Sequence, residues 1–235
     1  TMEAIVLAGG LGTRLREAVA DVPKPMAPIA ERPFLEYLLD YWIEQGVDRV
    51  ILSVGYKWEI IQNHFGSNYK GAAIEYSIEN TPMGTGGGVL LAIKQLTEKQ
   101  PFLLLNGDTF FKVPLTGFRE FHMQSAAEIS LALRQISGAN RYDWVILNDD
   151  NSVEAIELRS QELKSGLING GVYLLNPEIF KGVTWDGSSK LSLEDDMIPK
   201  ALHANRKLKG FICMEKFIDI GVPEDYQAAA SFFEN

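Results

Sequence analysis

With 235 residues, 46% of them hydrophobic and 23% charged, the chain has the makeup of one α/β domain with a substantial core. Lys and Arg total 22 against 31 Asp and Glu, and the net charge of −9 argues against DNA, RNA or an anionic membrane as partner. The lone cysteine, Cys213, cannot form an intramolecular disulfide, and no apolar run approaches the ~18 residues of a membrane span.

The apolar opening stops at "GGLGTR", too soon for a signal peptide, so the cytoplasm is the expected location. Residues 4–7 read as a buried strand, apolar without alternation. Gly and Pro then dominate up to residue 32. Residues 33–46 form a helix, with Pro33 in its first turn, Gly46 as its stop and Leu35, Leu38, Leu39 and Trp42 as its apolar stripe. A second strand follows at 49–54, a short helix at 57–66 and a third strand at 73–78. A third helix is expected at 89–96 and a fourth strand at 102–108. This alternation predicts a mainly parallel central sheet with helices on both faces. The later half has shorter strands, at 128–133, 142–147, 170–175 and 208–214, and ends in a helix over 223–234. One domain is expected (2–235), with a first half to about 110 and a second half built as a wall over the sheet edge.

Sites in parallel sheets lie outside the carboxyl ends of the strands. Three of the first four strands lead there into unusual segments: "AGGLGTR", "ENTPMGTGGG" and "NGD". The first lacks the Gly-Lys-Ser/Thr ending of a Walker loop, because it reads Gly12-Thr13-Arg14. It also lacks a dinucleotide fingerprint, because Leu15 stands where the third glycine belongs. The physics of phosphate binding remains: Gly9, Gly10 and Gly12 let the backbone approach an anion, and Arg14 adds a fork of donors. A tight turn carrying a surface arginine is the plain alternative. Lys24 shifts the balance, because Pro23 and Pro25 present this cation from a stiff segment. Asp108 ends a strand, and Asp219 sits among Phe217, Ile218 and Ile220, where a carboxylate needs a partner or a metal. A turn role is the plain reading of each aspartate. Nothing in the sequence places the two together.

"GGLGTRL…PKP", then "GTGG", "NGD", "NGGVY" and "DIGVPEDY", in this order over residues 4 to about 230, resemble the sugar-1-phosphate nucleotidyltransferases. The resemblance is strongest to the short guanylyltransferases of D-glycero-α-D-manno-heptose 1-phosphate, with mannose-1-phosphate guanylyltransferases as the near alternative. It implies a Rossmann-like nucleotidyltransferase fold with a small mixed β portion for the sugar. It implies the reaction of a sugar 1-phosphate with a nucleoside triphosphate to give a nucleotide sugar and pyrophosphate. On this resemblance Arg14 and Lys24 are catalytic. Leu7, Gly9, Gly10, Gly12, Thr13, Glu79, Gly84 and Thr85 bind the nucleotide, and Gly107, Glu157, Asn169 and Gly171 bind the sugar. Asp108 and Asp219 hold Mg²⁺. The attacking phosphate oxygen is already ionised, so the three histidines, His64, His122 and His203, need no catalytic part.

Glu79 stands where thymidylyl-transferring relatives use glutamine. A carboxylate only accepts hydrogen bonds, and guanine offers two adjacent donors, so GTP is the expected nucleotide. The chain departs from the family pattern at Asp143, Trp144 and Arg159, which touch the expected sugar region. A catalytically silent nucleotide-sugar sensor is the competing class, and it is disfavoured because Arg14, Lys24 and both aspartates are retained. The Phe232-Phe233 pair is expected to pack within the chain rather than dock a partner. Self-association as a homodimer stays open.

Overall fold

The computed structural model describes residues 1–10 and 21–234. The four parallel strands of the first half are β1 (Glu3–Leu7), β2 (Arg49–Val54), β3 (Ala72–Ile78) and β4 (Phe102–Asn106). Between them run α1 (Phe34–Glu44), α2 (Trp58–Phe65) and α3 (Gly84–Ala92). β1 pairs in parallel with β2 on one side and β4 on the other, and β3 extends the sheet beyond β2. The strand order therefore reverses at β1, which opens a crevice at the carboxyl ends of β1 and β4.

The second half comprises β5 (Thr109–Phe111), α4 (Leu115–Gln124), β6 (Ile129–Ala139), β7 (Trp144–Leu147) and β8 (Val153–Glu157). It continues with β9 (Lys164–Leu175), α5 (Ile198–His203), β10 (Leu208–Ile212), β11 (Phe217–Asp219) and α6 (Pro223–Phe233). β9 joins the halves. Its Val172-to-Leu175 portion lies antiparallel to β4, and its length pairs with β6. β7 and β8 extend the sheet antiparallel beyond β9, and β10 lies parallel to β6. A separate two-stranded ribbon joins β11 to β5, with Asp219 opposite Thr109.

Buried side chains fill both faces of the sheet. One cluster holds Phe34, Leu38, Trp42, Phe118 and Ile220, and the other holds Ile5, Leu104, Leu131, Tyr173 and Ile198. Phe233 stacks on Tyr37 with ring centroids 4.2 Å apart and meets Phe110 edge-on, so this end of the chain packs on its own core. Cys213 is buried just past β10. His122 is buried in α4 between Ser130 and Asn176, and burial pushes its imidazole pKa down. Among the described residues no helix is long and apolar enough to cross a membrane.

Several elements differ from the sequence expectation. α3 begins at Gly84 rather than Val89, so the glycine run is helical despite its poor intrinsic propensity. Tertiary contact decides this: a Cβ on Gly86 would lie 2.6 Å from Met197 Sδ, and one on Gly87 2.8 Å from the Trp185 ring. The fourth strand stops at Asn106, which leaves Gly107 and Asp108 in the turn. β6 and β9 extend well beyond their apolar stretches, because their polar ends pair with each other.

Candidate active site

Two adjoining cavities open at the carboxyl ends of β1 and β4. The larger, of about 490 Å³, is lined among others by Leu7, Gly9, Gly10, Lys24, Glu79, Thr85 and Asp108. The smaller, of about 260 Å³, is lined among others by Arg141, Tyr142, Asp143, Arg159, Asn169 and Asp195. Asn106 and Glu194 belong to both walls.

Lys24 starts a single 3₁₀ turn (Lys24–Met26), with Pro23 and Pro25 buried on either side of it. Its ammonium donates to Asp108 Oδ2 at 2.9 Å, and its side chain is only 16% exposed. The aspartates meet because β11 pairs with β5, and Ile220 N–H donates to the Asp108 carbonyl at 3.0 Å. Asp219 Oδ1 accepts Gly221 N–H at 2.9 Å, and Tyr142 O–H donates to Oδ2 at 3.4 Å. A Cβ on Gly221 would sit 2.6 Å from Lys24 Nζ, so only glycine leaves room for this cation. Burial, with the charge of Asp108 added, raises the Asp219 pKa from 3.8 to about 6.

Two carboxylates facing one cavity are a donor set suited to a hard divalent cation that completes its shell with substrate phosphate oxygens and water. Among the described residues no cluster of three or more ligating side chains forms a closed cage.

Glu79 follows β3, and its N–H donates to the Val54 carbonyl at 2.9 Å. Its side chain lies over two glycines: a Cβ on Gly9 would fall 2.8 Å from Oε1, and one on Gly55 2.9 Å from Cγ. Burial raises its pKa, while the Met83 backbone and the nearby Lys190 ammonium favour its charged form. Gly84 holds φ +78° and touches Leu191, whose carbonyl would lie 2.3 Å from an added Cβ. Gly84→Ala is expected to separate α3 from residue 191. Nucleotide affinity should fall at least about tenfold, and stability should fall by about 1–3 kcal/mol, measured by nucleotide titration and urea unfolding.

Of the expected sugar residues, Gly107 lines the larger cavity and Asn169 the smaller. Gly107 is backed by Leu7: its N–H donates to the Leu7 carbonyl at 2.9 Å, and a Cβ would lie 2.3 Å from that oxygen. Gly171, at φ +78°, supports the wall from behind, where a Cβ would lie 2.7 Å from Asn106 Nδ2. Glu157 lines neither cavity; its half-exposed carboxylate takes the Lys164 ammonium. Thr85 lines the larger cavity, but its hydroxyl is engaged, accepting Leu193 N–H at 2.8 Å and donating to Glu194 at 3.2 Å. Gly12, Thr13 and Arg14 lie outside the described residues.

The departures from the family pattern also find places. Trp144 is buried, and Gly166 makes room for its ring at 3.2 Å. Asp143 accepts the Arg159 N–H at 2.9 Å and so ties the two edges of the smaller cavity together. Lys190 and Glu194 carry no marker in the sequence, because "SSKLSLEDDM" reads as an ordinary polar loop.

Residues 3–235 match the family model described as nucleotidyl transferase. The chain is 45% identical to the D-glycero-alpha-D-manno-heptose 1-phosphate guanylyltransferase of Aneurinibacillus thermoaerophilus, over 97% of this chain and 96% of that protein. It is 42% identical to the enzyme of the same name from Campylobacter jejuni, over 96% and 97%. The crystal structure of HddC from Yersinia pseudotuberculosis complexed with GMP-PN superposes with a TM-score of 0.85. It is 35% identical, over 99% of this chain and 100% of that one.

Proposed function

We propose a substrate pair for this chain, which belongs to the nucleotidyl transferase family: GTP and D-glycero-α-D-manno-heptose 1-phosphate. The products are GDP-heptose and pyrophosphate. The observation that carries the reading is the meeting of two cavities at a shared wall, with Lys24, Asp108 and Asp219 lining the larger one. The larger cavity takes the nucleotide and the smaller takes the sugar.

An oxygen of the sugar 1-phosphate attacks the α-phosphorus of GTP, and the bond to the bridging α–β oxygen breaks as pyrophosphate leaves. No proton has to be removed from the nucleophile, so the residues act by position and charge. Lys24 draws the two phosphates together, and its pairing with Asp108 fixes where its ammonium points. Asp108 and Asp219 would hold Mg²⁺, which when bound offsets the phosphate charge. Glu79 accepts the N1–H and 2-amino group of guanine. Asp143 keeps Arg159 at the sugar.

Pyrophosphate release with each of the five common nucleoside triphosphates and a panel of heptose, mannose and glucose 1-phosphates tests the reading. The highest kcat/KM should come with GTP and the heptose 1-phosphate. A faster reaction with another pair would overturn the substrate assignment and leave the mechanism. Silence across the panel would remove both. Glu79→Gln should erode the preference for GTP over UTP at least tenfold, because an amide presents one acceptor where guanine needs two. A preference left intact would remove Glu79 as the base reader.

A further inference from the structure

The carboxylate that selects the sugar is not the expected one. The structure assigns that role to Glu194, which we propose accepts a ring hydroxyl of the sugar 1-phosphate and so determines specificity for it. The inference rests on the sugar 1-phosphate reading above.

Glu194 belongs to the walls of both cavities, and among the described residues only Asn106 shares that position. It lies in the π-helical turn Leu193–Met197 that precedes α5, a local geometry often found at functional sites. A carboxylate there cannot serve a phosphate, because both are anionic. Asp108, a second carboxylate, lines the same larger cavity. An ionised carboxylate needs donors, and the substrates bring two kinds, the guanine N–H groups and hydroxyls. The guanine donors belong to Glu79.

The choice between ribose and sugar hydroxyls follows from what already holds the side chain. Thr85, on the nucleotide side, donates to Oε2 at 3.2 Å, and Ser192 donates to the same oxygen at 3.4 Å. The Thr85 hydroxyl is itself oriented by the Leu193 N–H at 2.8 Å, so its one proton is committed to Glu194. The edge turned toward the nucleotide is therefore taken, and the sugar cavity is where a hydroxyl finds the carboxylate. Glu157 cannot compete from its place, because it is paired with Lys164 outside both cavities.

Steady-state kinetics on Glu194→Ala, Glu194→Gln and Glu157→Ala, with the parent sugar 1-phosphate and its monodeoxy analogues, tests this. Glu194→Ala should raise KM for the sugar 1-phosphate about 10- to 100-fold and move KM for GTP less than about threefold. Glu194→Gln keeps the volume and one acceptor, so it should fold as the parent does and lose about 3- to 10-fold. Glu157→Ala should stay within about threefold. One monodeoxy analogue should be penalised by the parent enzyme and not penalised further by Glu194→Ala, because the hydroxyl and the carboxylate are one interaction. A packing role for Glu194 would penalise every analogue equally. Equal penalties, a loss confined to KM for GTP, or a loss borne by Glu157→Ala would each overturn the assignment. A parent enzyme inactive with every sugar 1-phosphate would instead overturn the reading on which it rests.

Discussion

Lys24→Ala lowers kcat by about two to three orders of magnitude, read as pyrophosphate release, while far-ultraviolet circular dichroism stays that of the parent. The size follows from how the cation is held. The two flanking prolines restrict the backbone, Gly221 leaves space for the ammonium, and Asp108 fixes its direction at 2.9 Å. Such a charge needs no reorganisation when the phosphates meet, and water cannot replace it. Lys24→Arg should rescue little. The guanidinium is larger than the space above Gly221, and its planar fork cannot stand in for a point charge at that spot. Retention of a tenth of the parent kcat by Lys24→Ala would show that the phosphates are brought together by other groups. Removing Lys24 also takes away a charge that lowers the Asp219 pKa, so the acid limb of the residual activity should move to higher pH.

Asp219→Asn makes the metal-free protein more stable at neutral pH and at the same time inactive. Asp219 titrates near 6 in the fold against an ordinary 3.8, chiefly because it is buried and next because Asp108 faces it. The folded state takes up this proton before the unfolded chain does as pH falls. Its contribution to stability is thus complete below about pH 4 and is lost as pH rises through about 6. The span corresponds to at most about 3 kcal/mol. Asparagine is uncharged at every pH and keeps an oxygen for the Gly221 N–H. Urea unfolding without divalent ions should therefore show a parent stability that falls between pH 4 and 7 relative to that of Asp219→Asn. Adding Mg²⁺ should raise the parent's Tm and leave the variant's unchanged. Turnover of the variant should drop at least about 100-fold. A variant that still binds Mg²⁺ with the parent's affinity would remove Asp219 from the metal site.

Much of this site is legible in the sequence wherever the signal is local. Lys24 stands out between prolines, Asp108 ends an apolar strand and Asp219 interrupts an apolar run. What no local pattern carries is the pairing of β11 with β5, which joins segments about a hundred residues apart and brings the aspartates together. The first helical turn of α3 was hidden for a related reason. Its glycines are poor helix formers taken alone, and they are helical because Leu191, Met197 and Trp185 press against them. Glu157 shows the limit of a motif-like position: its carboxylate pairs with Lys164, and it is absent from both cavity walls. Glu194 and Lys190 sit in a polar stretch whose role depends wholly on what it folds against.

The contact between α3 and residue 191 reaches further than helix packing. The Leu191 carbonyl accepts the N–H groups of Gly86 at 2.8 Å and Gly87 at 3.3 Å, and Leu191 N–H returns to the Met83 carbonyl at 3.0 Å. Two of the donors at this helix start are thereby spent within the protein, and the segment bearing Lys190 and Glu194 is fastened to the helix beside the larger cavity. On the roles proposed for Glu79 and Glu194, base choice and sugar choice are consequently not interchangeable modules. A graft of residues 190–198 from a relative with another sugar would disturb nucleotide binding unless residues 83–87 were exchanged with it, so altered specificity in this scaffold has to be engineered as a matched pair.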